Sequence, residues 1–222
     1  MEKKMIKACI FDLDGTLLDT ITTITYYVNL ILRREGLGEI TEDECKYFAG
    51  NGAKKLIERS LSKFGIDDEE IFLRVLSDYM DAYNEAPLYL TRPYDGIPEL
   101  VEGLRGAGVR LAVLSNKPDE AVGDIIDSFF KGSFEIVRGG RDGVPLKPDP
   151  AAVFDILAEM GIDRDEALYV GDTNVDMLTG RAAGAHKTIG VSWGFRKVDE
   201  LLGAGADIIV HHPSEILEEA LS

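Results

Sequence analysis

The apolar pattern begins with a short run over residues 6–11, in which Ala8, Cys9, Ile10 and Phe11 follow one another without alternation. Such a run predicts a strand buried on both faces, as when helices cover both sides of a parallel sheet. From about residue 18 to about 88 the pattern takes a helical period, and no strand is predicted. Ile21, Ile24, Val28 and Ile31 share one face of a helix ending near Gly36 and Gly38, and Thr41 with Glu44 has the form of a capping box before a short helix. Beyond Gly50-Asn51-Gly52, Ala53, Ile57, Leu61 and Phe64 predict another helix; Ile71, Val75, Tyr79 and Tyr83, flanked by Phe72, Leu76 and Met80, predict one more that stops before Pro87. From Gly96 onward helix and strand alternate, with strands predicted over 109–114, 134–137, 167–170, 186–189 and 207–210. The alternation predicts an α/β fold built on a doubly wound parallel sheet, and the long helical stretch after the first strand predicts an inserted helical unit.

Composition narrows the function classes. A chain of 222 residues can bury a sizeable core as one domain or as a main domain with a smaller insert. Forty acidic residues against 24 Lys and Arg give a net charge of −16, which argues against attraction to nucleic acid or to an anionic membrane and favours a well-solvated surface. An anionic ligand would therefore need a locally positive site. Cys9 and Cys45 have no metal-ligand spacing and read as reduced structural thiols of a cytoplasmic protein. Lys3, Lys4 and Lys7 precede an apolar run that Asp12 ends far short of signal-peptide or membrane-spanning length, so neither is expected. Oligomeric state leaves no mark in the pattern.

The candidate chemistry sits where strands end, the ligand side of such sheets. The first strand runs into Asp12-Leu13-Asp14-Gly15-Thr16. Two carboxylates two positions apart repel each other and resist burial, a cost that a divalent cation relieves; magnesium, with few protein carboxylates and a substrate phosphate in its shell, suits the pair. Gly15 lets the backbone turn and offers its N–H to a ligand. The ordinary alternative is a solvated strand-to-helix turn. After the second sheet strand, Ser115 and Asn116 supply a hydroxyl, an amide and N–H groups for a phosphate, or simply cap a helix. Lys147 precedes Pro148 on a turn where Asp149 would cap a helix opening at Pro150; it is either a fixed cation or a surface lysine. The strand over 167–170 leads into Gly171-Asp172-Thr173-Asn174-Val175-Asp176, in which Asp172 and Asp176 would share a face if a helix begins there. Asp172 could complete a metal site with Asp12 and Asp14, and Asp176 could orient it from behind. Helix capping alone would also explain both acids.

Together and in this order, the four elements resemble the motifs of the haloacid dehalogenase superfamily: an Asp-x-Asp-Gly-Thr turn, a strand-terminal Ser, a lysine and an acidic Gly-Asp turn. Ala183-Gly184-Ala185 and Gly190-Val191-Ser192-Trp193-Gly194 are also similar to family segments, so the resemblance spans nearly the whole chain. It implies sheet order 3-2-1-4-5, an α/β core of residues 1–17 and 89–222, and a helical cap over 18–88. Gly50-Asn51-Gly52 resembles the cap loop of phosphoglycolate phosphatase-like members and would meet the substrate.

The implied activity is magnesium-dependent hydrolysis of a small phosphorylated metabolite, with 2-phosphoglycolate the first choice. Asp12 would be the nucleophile and form an aspartyl-phosphate; Asp14 would be the general acid and base. Asp12, the Asp14 carbonyl and Asp172 would hold magnesium, with Asp176 behind them, and Gly15, Ser115, Asn116 and Lys147 would hold the phosphate. A beta-phosphoglucomutase-like phosphomutase and a pyrophosphatase share these motifs and stay open, with a non-enzymatic binding protein as the remote alternative. Asp14 argues against the dehalogenase branch, which lacks it. No role follows for His186, His211 or His212, and Trp193 is expected to pack rather than touch substrate.

Overall fold

The run of apolar residues at the head of the chain does form a strand with no exposed face. The structure is a computed structural model that describes residues 5–222; Lys3 and Lys4, part of the basic start read above, lie outside the described residues. In chain order the elements are β1 (Ala8–Phe11), β2 (Leu18–Asp19), α1 (Ile21–Arg34), α2 (Glu42–Phe48), α3 (Ala53–Ser62), α4 (Glu69–Glu85), β3 (Arg92–Pro93), α5 (Ile97–Gly106), β4 (Arg110–Pro118), α6 (Asp119–Phe130), β5 (Ile136–Gly140), α7 (Ala151–Met160), β6 (Ala167–Gly171), α8 (Asn174–Ala183), β7 (Lys187–Val191), α9 (Val198–Ala204), β8 (Ile208–Val210) and α10 (Pro213–Leu221).

Six strands form a parallel sheet in the order β5-β4-β1-β6-β7-β8, which is the 3-2-1-4-5 arrangement with the last strand added at the edge. The two-residue side-chain period sorts β1 between two cores. Cys9 and Phe11 join the cluster built with α5, α6 and α10, whereas Ala8 and Ile10 join the one built with α7. Both faces are therefore dry, as the continuous apolar run required. Phe11 pairs with Val113 on one side and Val170 on the other, so β1, β4 and β6 deliver the residues that follow them to one end of the sheet.

Helices α1 to α4 pack in sequence, and α4 returns to α1. Ile24, Val28 and Ile31 of α1 and Val75, Tyr79 and Tyr83 of α4 are buried in one apolar cluster. The capping box forms as expected: Glu44 N–H donates to Thr41 Oγ1 at 3.2 Å, and Thr41 N–H donates to the Glu44 carboxylate at 2.8 Å.

Three local expectations need correction. The helical stretch is not strand-free, because β2 pairs antiparallel with β3 through Leu18–Pro93 and Asp19–Arg92; a two-residue strand is too short to leave a periodic signal. Strand β4 runs on through Ser115 and Asn116 to Pro118, so neither residue opens the following helix, which starts at Asp119. Helix α7 begins at Ala151 with Pro150 at its N-cap, although Asp149 still accepts the Ala151 N–H at 2.9 Å.

Candidate active site

The turn after β1 is built to bring carboxylates together. Gly15 has φ +86°, and a Cβ there would lie 2.2 Å from Asp172 Oδ2, so both the backbone conformation and the approach of the second acidic turn require glycine. Leu13 N–H donates to Asp12 Oδ1 at 2.7 Å, and the Lys147 ammonium lies 2.8 Å from the same oxygen. Both contacts fall on Oδ1, leaving Oδ2 for a ligand.

Lys147 also lies 2.8 Å from Asp176 Oδ1, so it stands between two carboxylates with its side chain 2% exposed. It is a buried cation fixed by charge, not a surface lysine. The Lys147–Pro148 peptide on which it sits is cis. The second acidic turn does not place Asp172 and Asp176 on one helix face. Helix α8 starts at Asn174 behind its N-cap Thr173, and Asp176, the third residue of the helix, closes a capping box with Thr173, while Asp172 precedes the helix. The turn nevertheless folds back, so that ligand oxygens of Asp12, Asp172 and Asp176 lie within 4.8 Å of one another, all buried.

Their partners differ. Asp176 Oδ2 accepts from the Thr173 N–H at 3.0 Å and its hydroxyl at 2.7 Å, so with Lys147 on Oδ1 both oxygens are occupied. Asp172 accepts from the Thr16 hydroxyl at 3.0 Å and the Phe195 N–H at 2.7 Å. Burial first, then the Asp176 charge, push the Asp12 carboxyl well above the usual range, with Lys147 opposing. The same two causes raise Asp172 to about 7 against the Phe195 and Thr16 hydrogen bonds. For Lys147 burial disfavours the ammonium, but Asp12 and Asp176 outweigh it and hold the proton more tightly than usual. When all are ionised, three carboxylates against one ammonium leave two negative charges in excess. A divalent cation fits that donor set and that imbalance.

Asp14 stands apart from this trio. Lys117 Nζ lies 2.9 Å from each of its oxygens and 4.6 Å from the centre of the Tyr83 ring. Ser115 Oγ accepts the Lys117 N–H at 3.2 Å. The Asn116 side chain is a strut: its amide donates to the carbonyls of Gly50 at 3.0 Å and Lys147 at 3.1 Å, and its oxygen accepts the Lys147 N–H at 2.9 Å.

Asp12, Asp14, Ser115, Asn116 and Lys147 line one cleft of about 660 Å³, including its open mouth, between the strand ends and the helical layer. Gly50 and Gly52 line it too, but Asn51 does not; its side chain accepts from Arg59 at 2.9 Å within the helical layer. Gly15 approaches the site from beneath, against Asp172.

Sequence reasoning missed three contributors. Lys117 could have been found by extending β4, since the strand period puts it on the side of Ser115. Tyr83 was read as core but also lines the cleft. Arg196 carried no local signal: it is buried and donates to the carbonyls of Lys46, Tyr47 and Ala49, the last at 3.1 Å, tying the segment after β7 to the end of α2. Nearby, the Trp193 indole N–H donates to the Thr16 carbonyl at 3.0 Å.

The sequence profile of the haloacid dehalogenase-like hydrolases matches residues 9–191, and the chain belongs to that family. A phosphoglycolate phosphatase of Aquifex aeolicus (strain VF5) is 33% identical over 215 residues, 96% of each chain. An N-acetylmuramic acid 6-phosphate phosphatase of Pseudomonas aeruginosa is 32% identical over 98% of this chain and 96% of its own. The crystal structure of a protein from Lactobacillus delbrueckii subsp. bulgaricus, provisionally named a phosphoglycolate phosphatase, matches with a TM-score of 0.93 at 32% identity, covering 99% of this chain and 100% of that one.

Proposed function

We propose that this chain is a magnesium-dependent phosphatase that hydrolyses a small phosphate monoester, 2-phosphoglycolate foremost, through a phosphoryl group carried on Asp12. The observation that carries the reading is the buried Asp12 carboxylate at the end of β1, held on one oxygen by Lys147 and facing a covered cleft with the other acids around it. A carboxylate can attack phosphorus without first losing a proton. Asp12 Oδ2 forms the new bond to phosphorus as the bond to the leaving oxygen breaks, and Asp14, which must enter the cycle protonated, gives that oxygen its proton. Water then attacks the phosphorus; Asp14 takes its proton, inorganic phosphate departs, and the Asp12 carboxylate is restored. Lys147, the Ser115 hydroxyl and the Asn116 N–H hold the phosphate oxygens and stabilise their developing charge, whereas the Gly15 N–H, expected to join them, donates instead to the Leu18 carbonyl at 2.9 Å and closes the turn.

Asp12, Asp172 and the Asp14 backbone carbonyl would hold magnesium, which supplies charge neutralisation for the phosphoryl group when bound. The Lys147 ammonium on Asp176 Oδ1 supports a positioning role for that residue, since its charge is already balanced, whereas both Asp172 oxygens accept only from neutral donors and keep their charge for the metal. Residues 18–88 act as a cap on a core of residues 1–17 and 89–222; the pairing of β2 with β3 supports this division, because the chain leaves and re-enters the core side by side. The cap excludes bulk water and admits the leaving group.

Phosphate release from 2-phosphoglycolate, N-acetylmuramic acid 6-phosphate, sugar phosphates, pyrophosphate and p-nitrophenyl phosphate, with magnesium and with chelator, tests the reading. Magnesium-dependent release that favours 2-phosphoglycolate is expected. Preference for the muramic ester, the substrate in the name of one relative, would keep the chemistry and change the substrate. Conversion of a sugar 1-phosphate to its 6-phosphate without net release would make the protein a mutase, and no reaction with any ester would reject the proposal.

A further inference from the structure

The cleft contains a cation that the phosphoryl chemistry leaves unused. Lys117 projects from β4 with its side chain 8% exposed, and its ion-pair partner is Asp14, the residue that must reach the leaving oxygen. Across the ammonium stands Tyr83 of α4, which is 4% exposed and lines the cleft. The Tyr83 hydroxyl is buried with no hydrogen-bond partner among the described residues, a costly arrangement in a folded protein unless a ligand meets it. The rest of that wall is largely apolar, with Ile24, Leu56 and Met80 among its side chains. A polar group of the leaving alcohol that extends past Asp14 therefore meets one ammonium and one hydroxyl in otherwise dry surroundings.

We propose that Lys117 and Tyr83 together bind a carboxylate on the leaving group, so that the site selects small phosphate esters bearing that anion over neutral esters of similar size. The proposal deepens the phosphatase reading and rests on it. A planar carboxylate offers two oxygens to two donors, the Lys117 ammonium and the Tyr83 hydroxyl, through charge-assisted hydrogen bonds. It also gives Lys117 a second counter-ion, freeing an Asp14 oxygen for the leaving oxygen. One donor comes from the sheet and the other from the helical layer, so the carboxylate bridges the two and favours their closed arrangement. A neutral alcohol does none of this, and Lys117 stays on Asp14.

The test compares kcat and KM for 2-phosphoglycolate and for ethyl phosphate, which has a similar carbon skeleton without the carboxylate, in wild type, Lys117→Met and Tyr83→Phe, with p-nitrophenyl phosphate as a reference ester. Wild type is expected to favour 2-phosphoglycolate. Lys117→Met should lower the ratio of the two kcat/KM values by about 10- to 100-fold, chiefly through KM for 2-phosphoglycolate. Tyr83→Phe removes one hydroxyl and keeps the ring, so it should fold normally and shift the ratio the same way by a smaller factor. An equal loss on both esters in Lys117→Met would show that the lysine acts only through Asp14 and would overturn the proposal, as would an unchanged ratio in Tyr83→Phe. Wild type that hydrolyses the reference ester but treats the other two alike would overturn this inference alone; wild type inactive on all three with magnesium would overturn the phosphatase reading with it.

Discussion

At the scale of single residues, the two aspartates of the first turn have separate surroundings and should fail differently. Asp12 is tied to Lys147 and the acidic trio, whereas Asp14 is tied to Lys117. Asp12→Asn should abolish release from every ester, since no nucleophile remains. Asp14→Asn should cost about 10²- to 10⁴-fold on an alkyl phosphate but much less on p-nitrophenyl phosphate, whose leaving group needs no proton; steady-state rates on the two esters check this. Asp172 gives a pH prediction. Its carboxyl is raised to about 7 in the folded chain from an ordinary value of 3.8. A raised acid holds its proton longer folded than unfolded, so its contribution is fully present below the lower value and is lost as pH rises through the higher one. Metal-free protein should therefore lose stability between about pH 4 and pH 7. Magnesium competes with that proton, so it should raise the melting temperature more at pH 8 than at pH 5. An equal shift at both values would remove Asp172 from the metal site.

At the scale of elements, the link between α2 and the segment after β7 carries a prediction. Arg196 spans it, donating to carbonyls at the end of α2, lying 5.2 Å from the Tyr47 ring and pairing with Glu200 at 3.1 Å. A cation at a helix C-terminus is favourable, and removing it leaves buried carbonyls unmet. Arg196→Met should cost about 1–3 kcal/mol in urea unfolding and raise KM with little change in kcat, because the helical layer loses a tie to the core. These elements also show what the sequence could reveal. The sheet strands were legible because burial on both faces demands unbroken apolar runs, and helices α1 to α4 because one-sided burial demands a 3.6-residue period. The pairing of β2 with β3 was not, being shorter than any period. The acidic motifs were legible as a set, since each carries its own local signature. The capping role of Asp176 was visible only as an alternative, and the strut made by Asn116 was hidden. Lys117 meets a residue 103 positions away and Arg196 meets carbonyls about 150 away, contacts that no local pattern encodes.

For the molecule as a whole, the excess of acids sets a condition on catalysis. A net charge of −16 repels a phosphorylated, carboxylate-bearing substrate at long range, while the ammonium groups of Lys117 and Lys147 act only inside the cleft. Screening should weaken the repulsion more than the buried attraction. The kcat/KM for 2-phosphoglycolate should thus rise as potassium chloride is increased from ~10 mM to ~150 mM at constant free magnesium; a steep fall would mean that surface cations guide the substrate. The turn after β1 and the segment after β7 are joined at a further point. The chain has a single tryptophan, Trp193, whose indole N–H donates to the Thr16 carbonyl and which stands two residues before Phe195, whose N–H donates to Asp172. Its emission is therefore a built-in optical reporter of the acidic turns: titrating magnesium, and then vanadate or phosphate as an unreactive probe, should change the fluorescence of the native protein in two separable steps, making occupancy of the site readable without a label or turnover.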